Sequence, residues 1–194
     1  MPSPRLAWRA LLPVGLAVGL IAALGVSAGP SSVRAELTSA RAASAAAPQC
    51  PTSSLEVWLG LGAGGAAAGS TSYPLEFSNV SSTTCTLYGY PGVSAIGGGG
   101  SQLGSPAGWD SSVPPSTVTL APGASAHTVL RITDVGNYPP STCDPATAFF
   151  LRVYPPNQTA WTEVGFSFQA CSSAGPVYLH VEAIQPGVGI PGHP

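Results

Sequence analysis

A histidine and a carboxylate two residues apart on a β-strand point to the same side of a sheet, which is the first requirement for acid–base work between them. His180 and Glu182 have that spacing, and His127 and Arg131, four apart, share a strand face in the same way. Hydrolytic chemistry would add a nucleophile beside the imidazole and an acid to orient it. Ser94 stands in Gly-Val-Ser-Ala-Ile, which lacks the second glycine of a nucleophile elbow. The histidines are therefore expected on solvated strand faces, and the chain reads as a non-enzyme, with an extracellular hydrolase as the competing activity. His193 falls in a Pro-Gly tail.

Cofactor and metal signals are as thin. Gly60, Gly62 and Gly65 match the spacing of a dinucleotide-binding loop, but no amphipathic helix follows and strand-like residues resume at Tyr73. The stretch from Gly60 to Gly69 reads as an inter-strand loop, and no cofactor is expected. Met1 is the sole methionine, and no cysteines or histidines stand at the C-x-x-C or H-x-x-x-H spacing of a tetrahedral centre, so no metal is expected either.

Flat recognition surfaces are better represented. Trp58, Tyr88 and Trp109 are the candidate ligand-facing aromatics; alternation turns Trp58 and Tyr88 away from their Leu and Val neighbours. Trp161, Tyr90 and Tyr154 would extend such a platform. The competing account uses these rings to fill the core and its rim.

The elements that must carry these residues are strands. Tyr73 to Asn79 alternates Tyr73, Leu75 and Phe77 against Pro74, Glu76 and Ser78, the pattern of a half-buried strand. Asn79 to Thr84 is a polar turn, Cys85 to Tyr90 resumes the extended pattern, and Pro91-Gly92 ends it, so the two runs read as a hairpin. Asn79 and Asn157 head N-x-Ser/Thr sequons and are taken as turn residues. Leu55 to Leu61, Val93 to Ile96, Val118 to Leu120, Phe149 to Tyr154, Val164 to Phe168 and Val177 to Ile184 supply further strands. Four glycines at 97–100 mark a hairpin tip. The longest alternating run, Ala124 to Thr133, sets Ala126, Thr128, Leu130 and Ile132 against His127, Val129, Arg131 and Thr133. Eight or nine short strands with Gly and Pro at the joints (roughly that many by pattern) predict an all-β fold, an antiparallel β-sandwich of immunoglobulin-like or related Greek-key topology. Strand order does not follow from the sequence.

Cys50, Cys85, Cys143 and Cys171 all lie beyond the leader. In an exported chain they read as two structural disulfides, with three connectivities open.

Phe77, Asn79, Ser81 and the run Cys85-Thr86-Leu87 through Gly89-Tyr90-Pro91-Gly92-Val93 are followed by VTLAPGASA at Val118 to Ala126, LRVYPP at Leu151 to Pro156, and Cys171. This pattern, spanning Cys50 to Gln185, resembles a family of secreted actinobacterial domains, some relatives being lipoproteins, that is itself a domain of unknown function. The resemblance implies an extracytoplasmic β-rich domain with Cys50 joined to Cys85 and Cys143 to Cys171. It lends no activity. Loops of that size, once closed, stabilise by roughly 3.5–4 kcal/mol each in the chain-entropy account.

Length and charge agree with one domain of this kind. The 194 residues include no lysine, and charged side chains make up 7%. From Cys50 onward, Arg131 and Arg152 stand against Glu56, Glu76, Asp110, Asp134, Asp144, Glu163 and Glu182. A mildly acidic surface is a poor partner for nucleic acid or anionic lipid. Residues 1–28 have a short arginine-bearing start, an apolar run and small residues at Ser27 to Gly29, the layout of a signal peptide; retained, the run would be an N-terminal anchor and the sole membrane contact. Residues 29–48 form an Ala/Ser-rich linker, 49–187 the β-sandwich, and 188–194 a disordered tail. The expected role is an exported, secreted cell-envelope module, monomeric, binding an unidentified envelope or extracellular protein or glycan. A polysaccharide- or cell-wall-binding module is the nearest alternative.

Overall fold

A computed structural model of the chain describes residues 46–190. The signal peptide or anchor expected at 1–28 and the linker up to residue 45 lie outside the described residues. The strands are β1 (Leu55–Leu59), β2 (Gly65–Ala67), β3 (Ser70–Asn79), β4 (Cys85–Tyr88), β5 (Gly92–Gly97), β6 (Gln102–Leu103), β7 (Gly108–Trp109), β8 (Thr117–Leu120), β9 (Ser125–Thr133), β10 (Pro145–Tyr154), β11 (Thr162–Cys171), β12 (Leu179–Val181) and β13 (Gln185–Pro186). One helical turn, Pro140–Cys143, precedes β10. No helix among the described residues is long and apolar enough to cross a membrane.

The chain is an all-β sandwich. Its larger sheet runs β1-β3-β9-β12-β7, with β2 on β3 and β13 on β9; the smaller runs β11-β10-β5-β6, and β4 pairs β8 separately. The order β1-β3-β9 against β11-β10-β5 is the A-B-E and G-F-C arrangement of an immunoglobulin-like sandwich. The place beside the third strand is filled from the C-terminal end by β12. The pairs are antiparallel except β7 with β12.

Alternation explains which side chains meet between the sheets. Leu75 and Phe77 from β3, Leu130 from β9 and Leu179 from β12 share a core with Ala95 from β5, Leu151 and Val153 from β10, and Val164 from β11. Burying each of the larger groups is worth about 1.5–3 kcal/mol. The face predicted for β9, Ala126, Thr128, Leu130 and Ile132, is buried throughout. Thr128 is tolerated there because its hydroxyl donates to the Glu182 carbonyl at 2.6 Å. Four glycines at 97–100 turn the chain from β5 into β6, with Gly100 at φ +79°.

The predicted hairpin of Tyr73 to Tyr90 does not form. β3 pairs β1 and β9, whereas β4 pairs β8, so the polar turn carries the chain between sheets. Asn79 drives this exchange. Its side chain is fully buried, donates to the carbonyls of Thr83 and Leu120, and accepts from the amide and hydroxyl of Ser81. All its polar capacity is spent holding the crossing, at positions a tight turn would have left to water. β3 is also buried on both sides over residues 74–77, not on one, because it is a central strand whose second face is covered in part by the chain near residue 189. The loop from Gly60 to Gly69 contains a short 3-10 turn, Leu61–Ala63, and β2.

Disulfides join Cys50 to Cys85 and Cys143 to Cys171. The first pins the domain's entry to β4, where Gln49 bridges Thr86 and the Pro48 carbonyl accepts from the Thr86 amide. The second ties the helical turn to the end of β11.

Candidate functional site

Outward-facing residues of the larger sheet form two cross-strand rows. In the first, Trp58 of β1 stands opposite Glu76 of β3, Glu76 opposite His127 of β9, and His127 opposite Gln185 of β13. In the second, Ser72 of β3 stands opposite Arg131 of β9, and Arg131 opposite His180 of β12. Cβ atoms of such opposed pairs lie about 4.5–5.5 Å apart. Pro74 and Val129, also opposed, separate the rows.

The first row borders an apolar cavity of about 600 Å³, lined by Trp58, Leu61, Pro74, Glu76, Val188 and Gly189, among others. Glu76 is 1% exposed. One carboxylate oxygen, Oε1, accepts the Gly189 amide at 2.9 Å; the other, Oε2, is buried with no hydrogen-bond partner. Burial pushes the Glu76 carboxyl above its ordinary range, against smaller opposing effects of the Gly189 amide and His127. His127 Nδ1 donates to the Gly187 carbonyl at 3.0 Å. The chain turns at Gly187, with φ +80°, and comes back over the sheet to reach Glu76. The sequence reading of 188–194 as a disordered tail thus gives way at its start, since Gly189 is buried and bonded; Pro191–Pro194 lie outside the described residues.

The second row borders a cleft of about 190 Å³ lined by Ser72, Asp110, Val129, Arg131, His180 and Glu182. Arg131 and Asp110 form an ion pair at 3.4 Å. The Ser112 amide donates to Asp110 at 3.1 Å, and these Ser112 bonds, then Arg131, hold the Asp110 carboxyl below its ordinary range. Desolvation, then Arg131, pushes the His180 imidazole down, which favours its neutral form. His180 Nδ1 has no hydrogen-bond partner. The cleft thus gathers a serine, a histidine and two carboxylates, yet the nitrogen that an orienting acid would hold is bare.

The aromatics picked from the sequence do not form one platform. Trp58, at 42% exposed, belongs to the first row. Trp109, at 69% exposed, sits on the opposite edge strand, stacked on Tyr90 with ring centres 5.0 Å apart and planes 9° from parallel. Asp110 faces the second-row cleft, so Trp109, its chain neighbour, points to the other side. Tyr88 is half exposed on β4, which pairs β8 outside the larger sheet. Ser94 is buried on β5 of the smaller sheet opposite Arg152, whereas both histidines are on strands of the larger sheet. His193 lies outside the described residues. Among the described residues no three His, Cys, Asp or Glu side chains are grouped to hold a metal ion.

Glu76 was within reach of the sequence only as the polar partner of Leu75 and Phe77. Nothing local marked it as buried, since the covering residue is 113 positions away.

No curated protein and no solved structure matches the chain. Residues 50–185, well over half of its length, match the model of a domain of unknown function, DUF4232. That span begins at the first cysteine of the described bridges and ends in β13, taking in both sheets and both outer-face rows. The chain belongs to the DUF4232 family.

Proposed function

We propose that this chain is an exported, non-enzymatic binding module of the cell envelope. Two disulfides fit an oxidising compartment. The observation that carries the binding reading is the cavity beside Trp58, which pairs an exposed aromatic ring with a buried, half-unsatisfied carboxyl. Recognition sites combine apolar walls with a few convergent polar groups in this way. Catalysis is less well supported, because His180 Nδ1 lacks an orienting acid and Asp110 is committed to Ser112 and Arg131. The test is titration of the isotope-labelled mature domain with soluble envelope peptides and glycans. Shifts confined to the outer-face rows or to Trp109, without turnover, are expected; hydrolysis of an ester or glycoside that H180A abolishes would overturn the reading.

A glycan-binding role is favoured by a separate feature, the exposed Trp109 braced flat on Tyr90. Sugar rings pack on such surfaces through their apolar faces. On that reading, retention on an insoluble wall polysaccharide falls about 2–10-fold in W109A. Unchanged retention removes the platform from consideration.

A further inference from the structure

We infer that the cavity beside Trp58 binds a primary alkylammonium group carried on a short apolar body, with Glu76 as its counter-ion. This deepens the binding-module reading and rests on it.

The first support is an unmet need. A carboxylate oxygen buried without a donor is costly to the fold, and a ligand N–H brought to it removes that cost. Glu76 is almost wholly buried yet lines the cavity, so a small group seated there reaches the bare Oε2 once the Glu76 side chain turns toward it, with the strands left in place. The volume is in the range of small-molecule sites, and Leu61, Pro74 and Val188 offer apolar walls for a hydrocarbon body.

The second support is the shortage of permanent cations among the described residues. The chain has no lysine. Arg131 is paired with Asp110 and Arg152 with Glu163. Among the described residues the titratable base facing Glu76 is His127, whose Nδ1 is held by the Gly187 carbonyl, so no permanently charged side chain there is left for Oε2.

The third is the geometry of Trp58. It stands directly across the strand pair from Glu76, and its ring is partly exposed, so an ammonium bound at Glu76 comes within reach of the indole. The same protein already builds this trio elsewhere. On the smaller sheet the Arg152 guanidinium sits 4.6 Å from the Trp161 ring centre and 3.5 Å from the Glu163 carboxylate. There the cation is a guanidinium; beside Trp58 the described residues offer only the His127 imidazole. An anion would meet Glu76 as a like charge, and a neutral alcohol would gain one hydrogen bond without charge.

Hexylammonium, hexanol and hexanoate are titrated against the labelled domain at neutral pH, following the Trp58 indole N–H. Hexylammonium is expected to bind, hexanol to bind about tenfold or more weakly, and hexanoate not at all. E76Q should lower hexylammonium affinity by about 10–100-fold and W58A by about 2–5-fold. The ligand series on the unmutated protein stands even where a variant fails to fold. A parallel titration with Nα-acetyl-lysine amide separates a lysyl side chain from a free alkylamine as the source, and tighter binding of either one supports the site. Equal binding of hexanol and hexylammonium, or an unchanged E76Q, would overturn the assignment. Failure of all three six-carbon ligands also overturns it and leaves the module reading to the Trp109 and glycan tests.

Discussion

The two rows on the outer face of the larger sheet use the same residue kinds and end in opposite electrostatic states. Ser72, Arg131 and His180 lie beside Asp110, whose carboxylate has a guanidinium and a serine amide and is held below its ordinary pKa. Trp58, Glu76 and His127 surround a carboxylate with one backbone amide and no nearby basic side chain other than a histidine, and burial holds it above. The second row pairs its carboxylate with a guanidinium, and the first leaves one carboxyl oxygen without a hydrogen-bond partner. What separates them is not composition but cover. The chain from Gly187 to Gly189 folds over the first row and helps to bury Glu76, while Asp110 keeps solvent and a cation.

Removing the cover should break this contrast with the largest effect. In G189V the new side chain would run into the His127 ring, so the crossing segment has to lift. A loss of about 1–3 kcal/mol in denaturant unfolding is expected, with the Glu76 carboxyl returning toward its ordinary pKa as water reaches it. An unchanged Glu76 titration by carboxyl NMR would show that the segment is not what desolvates it.

E76Q should show a smaller effect, visible mainly in its pH dependence. A carboxyl whose folded pKa is raised favours folding most when protonated. Its contribution is fully present below the unfolded value, 4.5 for Glu here, and is lost as pH rises through the higher folded value. Relative to E76Q, the parent protein should therefore lose stability between about pH 4 and neutrality. Parallel stability profiles for the two would contradict the burial assigned to this carboxyl.

The smallest effect is expected from R131A. The Arg131–Asp110 pair is partly exposed, so its loss should cost under about 1 kcal/mol. The informative readout is His180, whose imidazole pKa should move up once the neighbouring positive charge is gone. Asp110 should stay below its ordinary value, because Ser112 contributes more than Arg131.

Much of the scaffold was legible because it depends on near neighbours. The alternation in 124–133 groups Ala126, Thr128, Leu130 and Ile132 on one face, and that face is buried, though Val129 on the other is buried as well; the glycines at 97–100 mark the turn into β6. The site was half legible. Alternation alone puts Trp58, His127, Arg131 and His180 on outward faces, but nothing in it distinguishes Glu76, and Trp109 does not join Trp58. The failed hairpin has the same origin. Polar residues after Asn79 signal a reversal of direction, but whether the returning strand pairs its predecessor or crosses to another sheet depends on Leu120, 41 positions on.

By itself, the sequence settled what short-range sterics and polarity can settle: extended segments, their inner and outer sides, and a charge balance with no lysine to spare. The tertiary structure alone decided that β3 lies beside β9, that Trp58 faces Glu76, and that a glycine near the C-terminal end shields that carboxyl from water. Desolvation depends on which distant backbone comes to rest over a side chain, and periodicity carries no record of that.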